Sequence, residues 1–527
     1  EQGADDSLFW VKVQTTQSGI DVAVAARLNL DMDLSFQNTT ETGKAFSTFE
    51  FTGNKGQTVG FEKLVSIYSS QTWDSEHPLE DANNALNPDD SFESLAKESA
   101  NAWQKIWDKV DIKIEGDRLA QKLIRMHLYH LFASLSAHNV NFDASITARG
   151  LHGEAYRGHI FWDELFILPL YNLHFPEVTK STLMYRYRRL EAARAYAKEH
   201  GYKGAMFPWQ SGSDGREETQ VVHLNPVTGK WGPDYSSYQR HVSLAVAYNT
   251  WQYVHSSIDY DFLANYGAEM FLDICRFWAS KASKEENGRY SIKNVMGPDE
   301  FHEKYPGSKE GGLKDNTYTN IMVVWALDKA FEILDQLSLE QKAKVLDRLS
   351  LSIEELEEWQ QISSNLNIVI KDDILAQYDG YFQLEELDWN YYREKYENIY
   401  RMDRLLKAEG KSADDYKVSK QADTLQTFYN LDENTVTGIL QERGYDLSEN
   451  YLSKNLKYYL ARTSHGSTLS RVVHAQLANM IDDHELSWEL YSDALTSDFK
   501  DVQGGTTGEG IHAGVMAGTI LIALQSF

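Results

Sequence analysis

The sequence is poor in cysteine, in proline and in positive charge. Its 527 residues include one cysteine, Cys275, and nine prolines. A single cysteine excludes an intramolecular disulfide framework and a cysteine-cluster zinc site, and it fits a reducing compartment. The scarcity of proline permits many uninterrupted helices. We therefore expect a cytoplasmic protein rich in helix.

Positive charge is scarce because 51 Lys and Arg residues stand against 78 Asp and Glu residues, a net charge of −27. This balance argues against a nucleic-acid partner, which requires a basic face, and against an anionic membrane surface. The N-terminal sequence EQGADDSLF has neither the basic nor the apolar region of a signal peptide. The apolar run over 510–527 is slightly short of a membrane span, so we predict a buried helix there.

Apolar and aromatic residues are plentiful. Apolar residues make up 42% of the chain, which includes 13 Trp and 30 Tyr. Such a composition can form a large core and excludes wholesale disorder. Flat aromatic faces in this number are common in proteins that bind sugars.

The first part of the chain alternates in the manner of β-strands. The segments FWVKVQTT, IDVAVAARLNL, FSTFEFTG and GFEKLVSIYSS are separated by Gly, Ser, Thr and Asn clusters. These strands are too few to close a β-sandwich by themselves. We therefore predict that 1–85 form part of an antiparallel β-sandwich whose first half precedes this chain. The lack of an initiator Met agrees with a start inside a longer product. A helical linker is predicted over 86–113.

From residue 114 onward the apolar residues recur at about 3.6-residue intervals, which indicates helices. Helical runs are predicted at 160–174, 178–199, 238–256, 258–281, 317–337, 340–361, 420–430, 468–481, 485–499 and 510–526. Helices joined by long irregular loops predict an all-α barrel of paired helices over 114–527, with function carried by the loops. The acidic insert over 338–395 is interpreted as a solvated elaboration without a site.

One loop, NVMGPDEFHEKYPGSKEGGLKDNTYTN over 294–320, places Asp299 and Glu300 behind a Gly-Pro turn. A turn can hold a carboxyl group out into a cleft, as a general acid requires. Taken alone, a pair of acidic residues that stabilises the turn is the more common meaning of this pattern.

Two other loops combine aromatic and polar residues. The segment GEAYRGHIFWDELFILPLY contains Arg157, Trp162 and Asp163. A Trp ring can pack on the C–H face of a pyranose while a carboxylate accepts from its hydroxyls. The long segment over 204–241 includes Trp231 among further aromatic residues. Each loop by itself is equally compatible with aromatic packing that only holds the loop in place.

Three late segments carry polar groups near helix starts. The sequence SKQADTL supplies Lys420 and Gln421, which alone fit a solvated helix turn. In RTSHGSTLS, hydroxyl and N–H groups precede a helix where an anion would be stabilised, although ordinary capping is an equal alternative. The Gly-rich segment GGTTGEG offers backbone amides in the same way. No P-loop, H-E-x-x-H or EF-hand pattern occurs, so neither a metal nor a cofactor is expected.

In their order along the chain, GEAYRGHIFWDE, FPWQSGSDGREE, GPDEFH with TYTN, KQAD, HGSTLS and GTTGEGIHAG resemble glycoside hydrolase family 65. That family contains maltose, trehalose, kojibiose and nigerose phosphorylases and some inverting α-glucosidases. The resemblance covers about 90–527. It implies a mainly α protein, with an (α/α)6 barrel catalytic domain preceded by a partial antiparallel β-sandwich and a helical linker. The family's usual C-terminal sheet is missing from this sequence.

The resemblance also implies roles for individual residues. Glu300 matches the general acid of the GPDE loop. The residues that match the family's glucose-binding pairs are Trp162, Asp163, Lys420 and Gln421, and we add Arg157 and Trp231 as sugar-binding candidates. The residues that match the phosphate-binding region are His465, Ser467, Thr468 and the 504–511 loop, including Gly510.

We therefore expect inverting phosphorolysis of an α-linked glucose disaccharide or glucoside, with inorganic phosphate as co-substrate and β-glucose 1-phosphate as product. The leading alternative is an inverting α-glucosidase, in which Glu509 would activate water opposite Glu300. A catalytically inactive carbohydrate-binding protein is an alternative from another class. A homodimer is common in the resembled family, and no residue of this sequence supports it.

Overall fold

The structure is a computed structural model that describes residues 1–32, 34–72, 75–151, 153, 155–503 and 506–526. The chain divides into two compact units. The N-terminal unit comprises Glu1–Asp111 and His138–Ala144, and the second unit comprises Ile112–Ala137 and Ser145–Phe527.

The N-terminal unit is built on an antiparallel sheet. Its strands are β1 (Gln2–Asp5), β2 (Leu8–Gln14), β3 (Asp21–Leu30), β4 (Gln37–Glu41), β5 (Lys44–Thr48) and β6 (Phe61–Ser69). Four of them form one sheet in the order β1-β2-β3-β6, and β4 pairs with β5 as a separate hairpin. The strand predicted over 46–53 is wrong beyond Thr48, where the pairing of β4 and β5 ends. The other three predicted strands are confirmed.

Two helices complete this unit, α1 (Pro78–Asn84) and α2 (Phe92–Val110). Ala82 of α1 packs with Ala23 and Ala25 of β3 in a small core, where short side chains permit close approach of helix and strand. Helix α2 begins at a capping box, in which Ser91 and Ser94 each accept from the other's backbone N–H group. The linker predicted over 86–113 thus contains a helix, and the predicted domain boundaries remain a prediction.

The second unit is mainly helical. Its helices up to the middle of the chain are α3 (Arg118–Ser134), α4 (Glu164–His174), α5 (Pro176–Arg188), α6 (Leu190–Glu199), α7 (Val242–Ser257), α8 (Tyr260–Phe262), α9 (Ala268–Lys281), α10 (Thr317–Gln336), α11 (Leu339–Leu349) and α12 (Ile353–Asn365). The later helices are α13 (Trp389–Lys395), α14 (Met402–Ala408), α15 (Gln426–Leu431), α16 (Glu433–Glu442), α17 (Tyr451–Leu460), α18 (Thr468–Met480), α19 (His484–Leu495) and α20 (Ala513–Ser526).

Short antiparallel ribbons lie between these helices. They pair β7 (Val222–Asn225) with β8 (Lys230–Pro233), β9 (Ala282–Lys284) with β10 (Tyr290–Ile292), and β11 (Ile370–Lys371) with β12 (Ile374–Leu375). The first ribbon lies inside the long segment over 204–241, which the sequence presented as a loop. The mainly α composition expected from the sequence is confirmed.

Apolar periodicity predicted most of the helices because their buried faces form a continuous core. Helices α4, α7, α10 and α20 are buried along most of their length. The single helix predicted over 340–361 is wrong, since Ser350 adopts a left-handed conformation that ends α11. Ser352 then caps α12 by accepting from the N–H group of Glu355. Within the described residues, no helix has the length and apolarity needed to cross a membrane.

A buried ion pair joins α4 to α5. Glu164 accepts from Arg186 Nε at 2.9 Å and from Arg186 Nη2 at 2.8 Å. Arg186 also donates to the carbonyl group of Phe161, and Ser145 donates to Glu164. Both charged side chains are almost fully buried. Both hydrogen bonds from Arg186 end on Glu164 Oε2, and Ser145 donates to the other oxygen. These charge-assisted hydrogen bonds offset part of the loss of hydration of the two charges.

We expect Arg186→Leu to lower the free energy of unfolding by about 3–5 kcal/mol, because Glu164 would be left as a buried charge without its cation. Replacing both residues with apolar side chains should restore much of the loss. Arg216→Leu, which removes an exposed ion pair with Asp214, should change the value by less than about 0.5 kcal/mol. Urea unfolding measures all three. Equal effects of Arg186→Leu and Arg216→Leu would contradict the interpretation.

Candidate active site

A cavity of about 680 Å³ lies in the second unit. It is lined by residues of the loops that precede α4, α7, α10, α15, α18 and α20, together with α14. Nine of the sequence-predicted site residues line it: Arg157, Trp162, Asp163, Glu300, Lys420, Gln421, Ser467, Thr468 and Glu509. Residues separated by more than three hundred positions are thus brought to one place.

Glu300 lies at the tip of a loop that is closed at its base by pairing between Val295 and Leu313. The loop can approach its neighbours because Gly297 has no side chain. A Cβ atom at this position would lie 2.3 Å from Asn316 Nδ2 and 2.4 Å from Asp423 Oδ2. Asn316 in turn caps α10 by accepting from the N–H group of Thr319 at 2.9 Å. The turn before Glu300 is therefore packed directly on the start of α10.

Asp299, immediately before Glu300, is buried and fully engaged. Its Oδ1 accepts from the backbone N–H group of Lys420 at 2.7 Å. Its Oδ2 accepts from His302 Nδ1 at 3.0 Å. Burial alone would lower the pKa of His302, but the hydrogen bond and charge of Asp299 raise it to about 9. Asp299 thus serves to hold the loop, and only Glu300 of this acidic pair lines the cavity.

Lys420 and Gln421 contact the same loop. Lys420 Nζ lies 2.7 Å from Glu300 Oε2, and Gln421 Nε2 donates to the carbonyl group of Pro298. The Lys420 side chain is 10% exposed, whereas the Glu300 side chain is 36% exposed. The ammonium group expected to bind a sugar therefore pairs with the carboxyl group expected to act as the acid.

Trp162 and Asp163 lie where the chain enters α4. The Trp162 ring contacts the ring of His241 edge to face, with centroids 4.8 Å apart. Burial lowers the pKa of His241 to about 3, so this imidazole is neutral. Burial also raises the pKa of Asp163 to about 6, an effect that the charge of Glu300 reinforces and that of Arg149 opposes. The aromatic wall and the carboxyl group therefore share one corner of the cavity.

Ser467 and Thr468 begin α18. Ser467 occupies the N-cap position, yet its side chain makes no capping hydrogen bond to the helix. The preceding residue must be glycine, because a Cβ atom on Gly466 would lie 2.3 Å from the carbonyl oxygen of Tyr400. Gln503 Nε2 donates to the carbonyl group of Gly466 at 2.8 Å. This contact joins the Ser467 segment to the segment that leads to Glu509.

Glu509 lines the cavity from the loop that precedes α20. Its carboxyl group lies 3.3 Å from Arg149 Nη2, and its side chain is 59% exposed. Arg149 also contacts His512, whose Nδ1 donates to Asp498 at 2.6 Å. Glu509 is therefore the exposed end of a chain of hydrogen bonds that runs through Arg149 and His512 to the buried Asp498.

Three sequence-predicted residues do not line the cavity. Trp231 is 68% exposed on β8. His465 lies behind Ser467, where its Nδ1 contacts Ser470 Oγ at 2.9 Å and burial lowers its pKa well below the usual value. Gly510 packs on the backbone of Arg149, and α20 begins at Ala513, later than the predicted 510. Gly504 and Gly505 of the predicted phosphate loop lie outside the described residues.

The cavity also contains residues that sequence analysis missed. Gln239 is 1% exposed, and within the described residues neither its amide oxygen nor its amide nitrogen has a hydrogen-bond partner. Asn225 Nδ2 is unpaired in the same sense. The other missed polar residues include Glu303, Arg401, Arg404 and Lys407. The one available signal was the cluster of cations over 401–407, which directly follows an insert interpreted as having no site.

Within the described part of the chain, no group of three or more His, Cys, Asp or Glu side chains is arranged to hold a metal ion. The cavity instead combines carboxyl groups, cations, amides and tryptophan rings, a combination typical of enzymes that act on carbohydrates.

Comparison with known proteins gives the family. Two protein-family models match the chain. The model described as "Glycosyl hydrolase family 65 central catalytic domain" matches residues 125–521, and the model described as "Glycosyl hydrolase family 65, N-terminal domain" matches residues 1–106. The chain belongs to glycoside hydrolase family 65. The resemblance seen in the sequence motifs is thereby confirmed.

Several relatives are similar along nearly the whole chain. An uncharacterized glycosyl hydrolase of Mycobacterium tuberculosis is 42% identical over 97% of this chain and 39% of its own length. The trehalose 6-phosphate phosphorylase of Lactococcus lactis is 42% identical over 98% of this chain and 65% of its own length. The chain thus spans between about two fifths and two thirds of the length of these relatives.

A solved structure described as a putative kojibiose phosphorylase from human microbiome has the same fold. It superposes with a TM-score of 0.82 at 24% identity, and the match covers all of this chain and 65% of that one.

Proposed function

We propose that this chain carries the active site for inverting phosphorolysis of an α-linked glucose disaccharide or glucoside, with β-glucose 1-phosphate as product. The observation that carries the proposal is the presence of Glu300 and the uncapped start of α18 in one cavity. The first supplies a proton donor, and the second supplies hydroxyl and N–H donors for an anion. Relatives named as phosphorylases of trehalose 6-phosphate, kojibiose and 1,2-alpha-glucosylglycerol support this reaction class.

In the proposed reaction, Glu300 gives its proton to the glycosidic oxygen as the bond from that oxygen to C1 breaks. A phosphate oxygen attacks C1 from the opposite face, so the configuration at C1 inverts. Phosphate is already anionic and needs no protein base. Glu300 Oε2 accepts from Lys420 in the free protein, so proton donation requires Oε1 or a shift of Lys420 toward the sugar hydroxyls.

The glucose that becomes the product is expected beside Trp162 and Asp163, with Lys420 and Gln421 on the loop side. The unpaired amides of Gln239 and Asn225 are suited to hydroxyl groups of the leaving sugar, because a buried amide without a partner is costly. Arg157 donates to the carbonyl group of Glu218 at 2.9 Å and so orders the rim of the cavity.

Asp163 should make sugar binding pH-dependent. Its pKa is raised to about 6, so below this pH the carboxyl group becomes neutral and loses a charge-assisted hydrogen bond to a hydroxyl. We expect glucose affinity, measured by tryptophan fluorescence, to weaken as the pH falls from 7.5 to 5, and Asp163→Asn to weaken it by about 1.5–3 kcal/mol at pH 7.5. The variant should lose the pH dependence, whereas Asp214→Asn on the exposed surface should keep it. If the glucose affinity of Asp163→Asn still depended on pH, this role of Asp163 would be contradicted.

Glu300→Gln should leave the fold intact and abolish turnover of disaccharides, because the transferable proton is lost. The activity of this variant on activated α-glucosyl fluoride should fall far less, since fluoride leaves without protonation. Glu310→Gln, in the exposed part of the same loop, is the matched control and should behave as the wild type. The measurement is the rate of product formation with each substrate. If Glu300→Gln cleaved a disaccharide as fast as the wild type, Glu300 would be excluded as the acid.

The hydrolytic alternative is favoured by one observation, the presence of Glu509 in the same cavity. For phosphorolysis, phosphate should be required for cleavage, and Ser467→Ala with Thr468→Ala should raise the KM for phosphate much more than that for the sugar. For hydrolysis, cleavage should proceed without phosphate and stop in Glu509→Gln. A disaccharide panel with and without phosphate separates the two, and phosphate-independent cleavage abolished by Glu509→Gln would replace the first proposal with the second.

We also propose that the helices over 114–527 form the (α/α)6 barrel that the family resemblance implied, with the N-terminal sheet as part of a β-sandwich. Contacts of α3 with α20, of α20 with α4 and of α4 with α7 support successive packing of neighbouring helices. The cytoplasmic location, the homodimer and the absence of a cofactor other than phosphate remain predictions.

A further inference from the structure

Three cations lie in the cavity wall on a segment to which the proposed reaction assigns no role. Arg401 is the N-cap residue of α14, and Arg404 and Lys407 follow at intervals of three residues. Residues three apart share one face of a helix, so the three side chains are neighbours. All three line the cavity.

Two of these cations are partly neutralised by carboxyl groups. Arg401 forms a bidentate pair with Asp403, with Nε–Oδ1 at 3.0 Å and Nη2–Oδ2 at 2.8 Å. Lys407 Nζ lies 3.8 Å from Glu303 Oε2. Burial raises the pKa of Glu303 to about 7, so near neutral pH this carboxyl group is only partly ionised. Glu303 therefore balances the positive charge of Lys407 only in part.

Arg404 is the third cation and has no such partner. Within the described residues, no hydrogen bond or ion pair joins its guanidinium group to another side chain. Burial and the charge of Arg401 lower its pKa, yet an arginine remains protonated in a protein. The charges of Asp403 and Glu509 reach Arg404, but neither carboxyl group is hydrogen-bonded to it among the described residues, and such a half-buried cation is unfavourable. An anionic ligand would remove this cost.

The position of the cations indicates which part of a substrate they would meet. Glu303 follows Glu300 by three residues, and Lys407 Nζ also lies 3.5 Å from His223 Nε2 on β7. Asn225, with its unpaired amide, ends the same strand. Trp162 and Asp163, the expected contacts of the glucose product, belong to a different segment. Lys407 therefore lies on the β7 side of the cavity, where we expect the leaving sugar, and Arg404 precedes it by three residues on the same helix.

We propose that Arg404, together with Arg401 and Lys407, binds a phosphate monoester carried by the leaving sugar. Such a group has a charge of about −1.5 to −2 at pH 7 and three acceptor oxygens, which match an unpaired guanidinium and a partly neutralised ammonium. The planar fork of Arg404 can bind two of these oxygens at once. The inference rests on the proposed function, because it specifies the leaving group of that reaction.

Inorganic phosphate has the same chemistry and is the other source of an anion for this site. The charge of Glu509 reaches Arg404 and that of Glu300 reaches Arg401, so the cations are not far from the reacting centre. The two sources make different predictions. A site for the leaving sugar discriminates between phosphorylated and neutral acceptors, whereas a site for free phosphate changes only the dependence on inorganic phosphate.

The test runs the reaction in the synthetic direction, from β-glucose 1-phosphate to glucose or glucose 6-phosphate as acceptor, and measures phosphate release. We expect the wild-type protein to prefer glucose 6-phosphate. In Arg404→Gln the ratio of the two kcat/KM values should fall roughly 10- to 100-fold, through a higher KM for glucose 6-phosphate, as expected when charge-assisted hydrogen bonds are lost. Arg404→Lys should keep part of the preference.

Arg393→Gln is the matched control, because Arg393 is an exposed arginine on the neighbouring helix α13, where it packs on Trp389 outside the cavity. It should leave the acceptor preference unchanged. Thermal unfolding of each variant checks that the fold is retained. An unchanged acceptor preference in a folded Arg404→Gln protein would overturn the inference. So would a rise confined to the KM for inorganic phosphate in the phosphorolytic direction, which would assign the cations to the free anion.

Binding of glucose 6-phosphate, measured by titration calorimetry, tests the site without turnover. We expect the affinity to fall at least tenfold in Arg404→Gln and to remain unchanged in Arg393→Gln. Equal affinity in wild type and Arg404→Gln would overturn the inference. Lack of turnover with every acceptor, combined with Arg404-dependent binding, would remove the proposed reaction and leave the anion site standing.

Discussion

The arrangement of the cavity depends on the buried carboxylate of Asp299. A buried charge is tolerated only where hydrogen bonds and an opposite charge replace its water. The N–H group of Lys420 and the imidazolium of His302 provide both here. His302 belongs to the same loop as Asp299, whereas Lys420 is 121 residues further along the chain. The hydrogen bond from Lys420 to Asp299 therefore joins the loop that carries Glu300 to the segment that carries Lys420. The position of the candidate acid is thus a consequence of its neighbour's burial.

The distribution of charge in the cavity contrasts with that of the whole chain. The protein has a net charge of −27, whereas the charges that line the cavity are nearly balanced. The cations are Arg149, Arg157, Arg401, Arg404, Lys407 and Lys420, and the carboxyl groups are those of Asp163, Asp234, Glu300, Glu303, Asp403, Asp414 and Glu509. Most of these cations are held by carboxyl groups or carbonyl oxygens, which fixes their direction without removing their charge. Salt at physiological ionic strength screens interactions between solvent-exposed charges that are more than about 8 Å apart. An anionic reactant in the cavity is therefore governed by this nearly balanced set of nearby charges more than by the acidic surface.

Helix periodicity and the order of the six motifs could be read from the sequence because both are local. A buried face repeats along a helix, and motifs such as GPDEFH and HGSTLS keep their loop positions whatever lies around them. Local patterns were less informative where two helices meet at a polar turn, as at Ser350. They also gave no sign that His465 packs behind Ser467, because that depends on which side of the loop the protein covers.

The family, the mainly helical fold and nine of the residues that line the cavity could therefore be predicted from the sequence alone. Only the tertiary structure decided that Lys420 pairs with Glu300, that Gln239 has no hydrogen-bond partner among the described residues and that α14 forms part of the cavity wall. Each of these facts concerns residues distant in sequence, whose spacing carries no period or motif. Their contacts arise from how the helices and loops pack, and packing decides which polar groups find partners inside the protein and which remain free for a ligand.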